Sequence, residues 1–343
     1  MVNTVKLLRH HLLARLFKNA GLRQHAVAVE DDGVAVGTII NFWLPKRKAP
    51  PSKMTTTKKK TSSTTSTTKN HISTAEEEQR RHAVVLLHGF AADGLMTWAF
   101  QVGALAERGY DVYVPDLLHF GRSTTASPDR TMAFQARCVA AALRGLGVEE
   151  NRRCTVTVVG FSYGALVAFE MAAACPGLVR SVVATGSAAV FTAATHDALL
   201  ERLCPGTSFA ELMVPVSARR LRLLFSTALY MKLRWFPRRV LDDFLRHKVM
   251  CRNRQERAEM LEKMVTRDKQ ASTHVFHQDI LLLWGENDNY VPIEEAKRMK
   301  GELGENVTLR SIRKAGHLVH LERPSVYNGC LKEFLARVDA LSS

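Results

Sequence analysis

The chain has 343 residues, 46% of them hydrophobic and 24% charged, a balance that supplies a packed core for one large domain or two small ones and excludes wholesale disorder. Its net charge of +15 is concentrated at the front, where residues 1–81 carry 15 Lys/Arg against 6 Asp/Glu. The remainder shows no zinc-ligand spacing, no RNP-like aromatic motif and no basic region running into heptads, so the charge does not point to nucleic acid.

In chain order, Val5 to Phe17 places Leu8, Leu12, Leu13, Leu16 and Phe17 at helical spacing with basic residues between them, and no acid precedes Glu30. Lys6, Arg9, His10, His11 and Arg15 interrupt the apolar stretch that a secretory signal needs, and no run approaches the roughly 18 apolar residues of a membrane span. Three readings stay open: a helix packed on the body of the protein, an interfacial membrane helix, and an organelle transit peptide. His25–Glu30 and Val34–Leu44 are β-rich runs around Asp31-Asp32-Gly33 and predict a hairpin, so residues 1–45 read as an N-terminal helix plus the first hairpin. Residues 46–80 change character: Lys, Thr and Ser dominate (TTTKKKTSSTTSTTKN), which predicts a disordered insertion that cannot offset its own ordering entropy. This basic tract and the acid-free helix could hold the chain on an anionic membrane surface, or simply serve solvation.

From residue 81 onward strands and helices alternate. Strands are predicted at His82–Leu87, Asp111–Val114, Thr155–Val159, Val179–Ala184, Ile280–Leu283 and Val307–Ile312. Helices are predicted at Trp98–Arg108, Phe134–Leu146, Ala165–Ala174, Glu294–Leu303 and Val326–Leu341. Continuous apolar strands alternating with helices predict an α/β fold with a parallel sheet covered on both faces. From about Ser187 to Gln270 no strand is evident, only material rich in Leu, Met, Phe and Arg. The organisation expected is a core at 81–186 and 276–343, with a helical cap at 187–275 inserted over one end of the sheet. Cys138, Cys154, Cys175, Cys204, Cys251 and Cys330 are scattered without CxxC pairs, so they read as free thiols of a reducing, cytoplasmic compartment with no metal site.

Gly160-Phe161-Ser162-Tyr163-Gly164 follows an apolar strand and opens a helix, the context in which G-x-S-x-G lifts a serine hydroxyl above a sheet. A serine is a weak nucleophile, so a base and an orienting acid must follow in the chain. Asp288 ends the strand-to-loop run Ile280–Asp288, and Ala315-Gly316-His317 follows the next strand; both reach the same sheet edge as Ser162. His320 is the alternative base and Glu286 the alternative acid, whereas His119, His196, His274 and His277 read as surface or packing residues. The oxyanion donors expected are the backbone N–H groups of Tyr163, directly after the nucleophile, and of Phe90, in the loop after the first core strand. His88 in that loop reads as structural, and Asp116–Ser123 as a shaped loop without chemistry.

The sequence resembles the α/β-hydrolase superfamily over residues 82–340, through HGF, the GFSYG turn, WGENDNYVP and AGHLVHLERP. More narrowly it is similar to a plant branch of capped hydrolases described as esterase-like, monoacylglycerol-lipase-like or epoxide-hydrolase-like, through MVN, NFWLPK and FQVGALAERGYDVYVPDLLHFGRS; the Lys/Ser/Thr insertion departs from it. The resemblance implies an eight-stranded, mostly parallel sheet with strand 2 antiparallel to its neighbours, and an insertion at the sheet end opposite the catalytic loops. It implies a serine hydrolase acting on a small-molecule ester through an acyl-enzyme, with no metal or organic cofactor. Acyl transfer and hydrolase-fold ligand reception are the alternatives. Epoxide hydrolysis is disfavoured because it needs a carboxylate where Ser162 stands. Leu221, Leu223, Leu224, Phe225, Leu229, Tyr230, Met231 and Trp235 suggest an apolar pocket or the cap's own core.

Overall fold

Apolar runs form the central strands, and two mixed edge strands complete eight: β1 Leu22–Ala28, β2 Ile39–Pro45, β3 Ala83–Leu87, β4 Asp111–Pro115, β5 Val156–Phe161, β6 Val179–Thr185, β7 Asp279–Gly285 and β8 Val307–Ile312. They make one sheet in the order β1-β2-β4-β3-β5-β6-β7-β8. β2 runs antiparallel to β1 and β4, and the remaining pairs are parallel. This computed structural model describes residues 3–29, 34–48, 82–148, 156–203, 206–231, 237–247, 252–265 and 275–341.

The N-terminal helix α1 is continuous through Thr4–Leu7, a π-helical stretch Leu8–Leu13, and Ala14–Asn19. Between β3 and β4 lie α2 Gly94–Thr97 and α3 Val102–Ala106; α4 Met132–Gly145 precedes β5 and α5 Tyr163–Ala174 follows it. Between β6 and β7 the described residues form the helices α6 Ala193–Leu203, α7 Phe209–Met213, α8 Ala218–Ala228, α9 Arg238–Arg246 and α10 Arg254–Met264. The chain closes through α11 Ile293–Leu303, α12 Val319–Glu322 and α13 Pro324–Ala340.

The core strands are buried on both faces, which is why their sequences read as unbroken apolar runs. Along β3, Val85 and Leu87 pack with α4 and α5, whereas Val84 and Leu86 pack with α1, α3 and α13. Each such side chain contributes roughly 1.5–3 kcal/mol by leaving water.

Of the readings of the first helix, the structure has it packed on the body. Phe17 is fully buried, its ring 5.1 Å from that of Trp43 on β2. Arg9 makes a bidentate ion pair with Asp93. At the start of the helix, the Thr4 N–H and hydroxyl donate to Asp243 Oδ2 of α9 at 2.8 and 2.7 Å. Leu7, Leu8 and Leu12 stay exposed.

Three sequence expectations are corrected. Of the helix predicted at Trp98–Arg108 only α3 Val102–Ala106 forms: the short α2, started by the Asp93 side chain accepting the Met96 N–H, ends before Trp98, which leaves helical geometry at φ −106°, ψ 16°. β1 begins at Leu22 rather than His25, extended by its register with Pro45. The stretch predicted disordered from residue 46 is ordered through Lys48: Lys46 N–H donates to Gly21 O, Arg47 pairs with Asp111, and Lys46–Lys48 form a 3-10 turn. The rest of that stretch, the Asp31-Asp32-Gly33 turn, Trp235, His274, Cys154, Cys204 and Cys251 lie outside the described residues. Cys138, Cys175 and Cys330 are free thiols. Among the described residues no helix is long and apolar enough to cross a membrane.

Candidate active site

Ser162 stands at the end of β5 with φ 52° and ψ −119°, a backbone conformation that L-residues rarely adopt. The turn is held because Ser162 N–H donates to Thr185 O of β6 at 2.8 Å, and Ala165 N–H returns to Ser162 O at 2.8 Å. Gly164 lies against the carbonyls of Leu87 and His88, where a Cβ has no room. Both outer glycines of the motif thus let α5 start directly beneath the serine.

The acid and the imidazole arrive from the ends of the last two strands, β7 and β8. After β7, Asp288 turns its carboxylate inward: Oδ1 accepts the N–H groups of Tyr290 and Val291 at 2.8 and 3.0 Å, and Oδ2 lies 2.8 Å from His317 Nδ1. Both side chains are buried. The His317 ring is stacked on Tyr290 at 4.8 Å and flanked by Phe161 at 4.9 Å, so its plane is fixed from both sides. The loop that carries it is tied to the inserted helices: His317 N–H donates to Ala228 O at the end of α8. Glu322 accepts the Gly316 N–H on one oxygen and the Tyr230 and Met231 N–H groups on the other.

Ser162 and His317 line one cavity of about 300 Å³, whose walls include Phe90, Met213, Leu224, Phe225 and Phe244. An adjoining small space of about 30 Å³ brings Phe90, Ser162, Tyr163, Gly186 and His317 together. Among the described residues, neither the Phe90 nor the Tyr163 backbone N–H has a hydrogen-bond partner.

The remaining sequence candidates fall elsewhere. His320 is fully buried between Trp98 and Phe161, with neither ring nitrogen partnered among the described residues. Burial, and to a lesser extent His317, pushes it down to about 3. Glu286 accepts from Ser311 Oγ at 2.9 Å and does not reach His317. His88 is fully buried: Nδ1 lies 2.8 Å from Gly89 O, and Nε2 accepts the Leu117 N–H at 2.9 Å. Burial holds it down to about 4, so it is a neutral strut between the loops after β3 and β4. His119 is buried, His196 sits beside Asp197, and His277 is exposed. In the Asp116–Ser123 loop, Asp116 accepts from Asn41 and from Gly94 N–H, and burial plus the nearby Asp93 raise it to about 7. Among the described residues no three His, Cys, Asp or Glu side chains are grouped to hold a metal.

Sequence reasoning missed Gly186, directly after β6. At φ +63°, a Cβ there would stand 2.9 Å from His317 Cε1 and Nδ1 and 3.3 Å from Asp288 Oδ2. The available signal was a glycine at the end of an apolar strand, at the same edge as Ser162. Tyr290 and Glu322 were missed too, because their roles come from contacts across the fold.

A mostly parallel eight-stranded sheet, with a strained serine turn after β5 and an Asp–His pair after β7 and β8, is the architecture of α/β hydrolases. Residues 82–324 match the alpha/beta hydrolase fold family, and the chain belongs to it. The biotin biosynthesis bifunctional protein BioHC of Cellvibrio japonicus is 25% identical over 260 residues, covering 73% of this chain and 47% of that protein. Protein ABHD8 of Mus musculus is 24% identical over 254 residues, covering 73% of this chain and 54% of that protein. The chain thus spans about half the length of these curated relatives. Among solved structures, a bacterial membrane phospholipase A superposes with a TM-score of 0.68 at 20% identity, over 98% of this chain and 94% of the other; that likeness is one of fold.

Proposed function

We propose that the protein is a serine hydrolase that cleaves a carboxylic ester of an apolar or lipid-like substrate through an acyl-enzyme, as a member of the capped branch of its family. The observation that carries this reading is the 2.8 Å contact of Asp288 Oδ2 with Nδ1 of His317, whose ring lines an apolar cavity together with Ser162.

In this mechanism Asp288 accepts the Nδ1–H of His317, which leaves Nε2 to take the proton of Ser162 Oγ as that oxygen attacks the ester carbonyl. The N–H groups of Phe90 and Tyr163 stabilise the oxyanion; one such donor is worth about 10²–10³ in rate. His317 returns its proton to the leaving alcohol. It then activates the water that releases the acid and restores Ser162. The cavity lies at the small end of the roughly 300–1,000 Å³ range of ligand sites, which favours one short acyl or alkyl group over a bulky polar one.

The setting proposed is cytoplasmic, with peripheral contact to anionic membrane through α1, whose exposed Leu7, Leu8 and Leu12 stand among Lys6, His11 and Arg15. Each basic residue at such a surface contributes about 1 kcal/mol. Co-sedimentation with phosphatidylserine vesicles at low and high salt tests the contact; equal, negligible binding in both removes it. The hydrolase reading is tested by fluorophosphonate labelling and a p-nitrophenyl ester series of increasing acyl length. Labelling and turnover that vanish together in Ser162→Ala are expected, and failure of the wild-type protein to label would overturn it.

A further inference from the structure

Arg257 of α10 is fully buried, at a helix position whose neighbours Met260, Leu261 and Met264 are ordinary apolar core. Its Nη2 donates to the carbonyl of Phe90, and its guanidinium lies over the rings of Phe120 and Phe90, 4.2 and 5.1 Å from their centroids. The Phe90 ring in turn meets Tyr163 edge to face at 5.6 Å. Taking a guanidinium out of water costs several kcal/mol, which a Leu or Met at this position would not incur. A side chain that breaks the local packing rule in this way marks a functional constraint more often than a structural one.

The direction of the Phe90 N–H is set by the peptide plane between Gly89 and Phe90. His88 Nδ1 holds the carbonyl of that peptide, and Arg257 holds the carbonyl of the next one. His88 belongs to the core loop itself, whereas Arg257 comes from the helices inserted between β6 and β7. We infer that Arg257 is a positioning residue through which the docked cap completes the oxyanion site, so that Phe90 N–H is aimed only while α10 sits over the sheet. The inference rests on the hydrolase reading above, with Phe90 as an oxyanion donor. Leu261 and Met264 of the same helix line the small space beside Ser162, so cap closure and loop alignment share one element.

The test uses the full chain and three variants, with thermal unfolding as the folding control. Arg257→Met keeps the bulk and removes the charge and the fork; Arg257→Lys keeps a cation over the rings without the planar fork. Arg257→Met is expected to lower kcat on p-nitrophenyl butyrate by about 10–100-fold with KM changed by less than about threefold. Affinity for butylboronic acid, whose tetrahedral adduct uses the oxyanion donors, should fall about tenfold or more, while affinity for butyrate stays within about threefold. Arg257→Lys should lie between Arg257→Met and wild type, and added guanidinium should restore part of the activity of Arg257→Ala. Equal losses of boronate and butyrate affinity, or a kcat within about twofold of wild type in folded Arg257→Met or Arg257→Ala, overturns the inference. Ser162→Ala run in parallel separates the two failures: if it retains turnover the hydrolase reading falls, and if it alone loses turnover only the role of Arg257 falls.

Discussion

Replacing Gly186 with alanine probes how closely the His317 ring is held. The new Cβ would stand 2.9 Å from two atoms of the His317 ring and 3.3 Å from Asp288 Oδ2, so the imidazole must shift by several tenths of an ångström to regain ordinary contact. A misplacement of about 1 Å at a reacting group costs about 10²-fold, so a 10–100-fold fall in kcat is expected. The left-handed φ of +63° adds about 1–2 kcal/mol of backbone strain, worth roughly 1.5–3 °C of melting temperature in a chain of this length. Gly109→Ala separates the two effects, because Gly109 has φ +85° with open space around its would-be Cβ. It should lower the melting temperature by a similar amount and leave turnover of p-nitrophenyl butyrate intact. If Gly186→Ala kept kcat within about twofold of wild type in a folded protein, the claim that this strand end gauges the His317 position would be wrong.

The other predictions are simpler to run. Ser162→Ala and His317→Ala should each reduce ester turnover by roughly 10⁴-fold or more, acting as a unit, with Asp288→Asn costing somewhat less; steady-state kinetics decide. Deleting residues 50–76 should leave turnover and melting temperature nearly unchanged, since Lys48 and His82 flank the sheet edge opposite Ser162; a large loss of turnover in the folded deletion protein would contradict this. His320 and His88 are held neutral by burial, at about 3 and about 4, so the unfolded chain takes up protons below about pH 6.5 that the folded one does not. Stability is therefore full above that pH and declines below it, by about 2 kcal/mol per imidazole at pH 5. His320→Phe should flatten the acid side of a melting-temperature profile between pH 7.5 and 5, and an unchanged slope would count against it.

The alternation of strand and helix beyond Ala83 was legible because doubly covered parallel strands must be apolar at every position, and such runs survive in the bare sequence. Ser162, Asp288 and His317 were legible for a related reason: each follows such a run, so each had to emerge at the same sheet edge. The roles of Gly186, Glu322 and Arg257 left little trace. Each depends on an approach between segments distant in sequence: Arg257 meets Phe90, and Glu322 clamps Tyr230 and Met231 to the loop of His317. The late start of α3 was hidden because apolar periodicity does not show where a helix begins, and the separate turn α2, started by the capping bond from Asp93, ends just ahead of Trp98. Lys46–Lys48 misled through composition, since a basic run reads as solvated until Asp111 supplies a partner.

The contacts between α1 and Asp243 also bear on the order in which the molecule is made. Thr4 and its acceptor are separated by 239 positions. At roughly 5–20 residues per second of synthesis, Thr4 waits about 10–50 s before Asp243 exists. A lone helix of this length is marginal in water, so α1 gains little by itself during that interval. Its C-terminal part can find Trp43 early, because β2 follows within the same stretch of nascent chain. The first turn cannot be tied down until α9 has been translated and folded. Assembly of α1 is therefore expected in two stages, with closure of its leading turn onto the inserted helices among the last folding events.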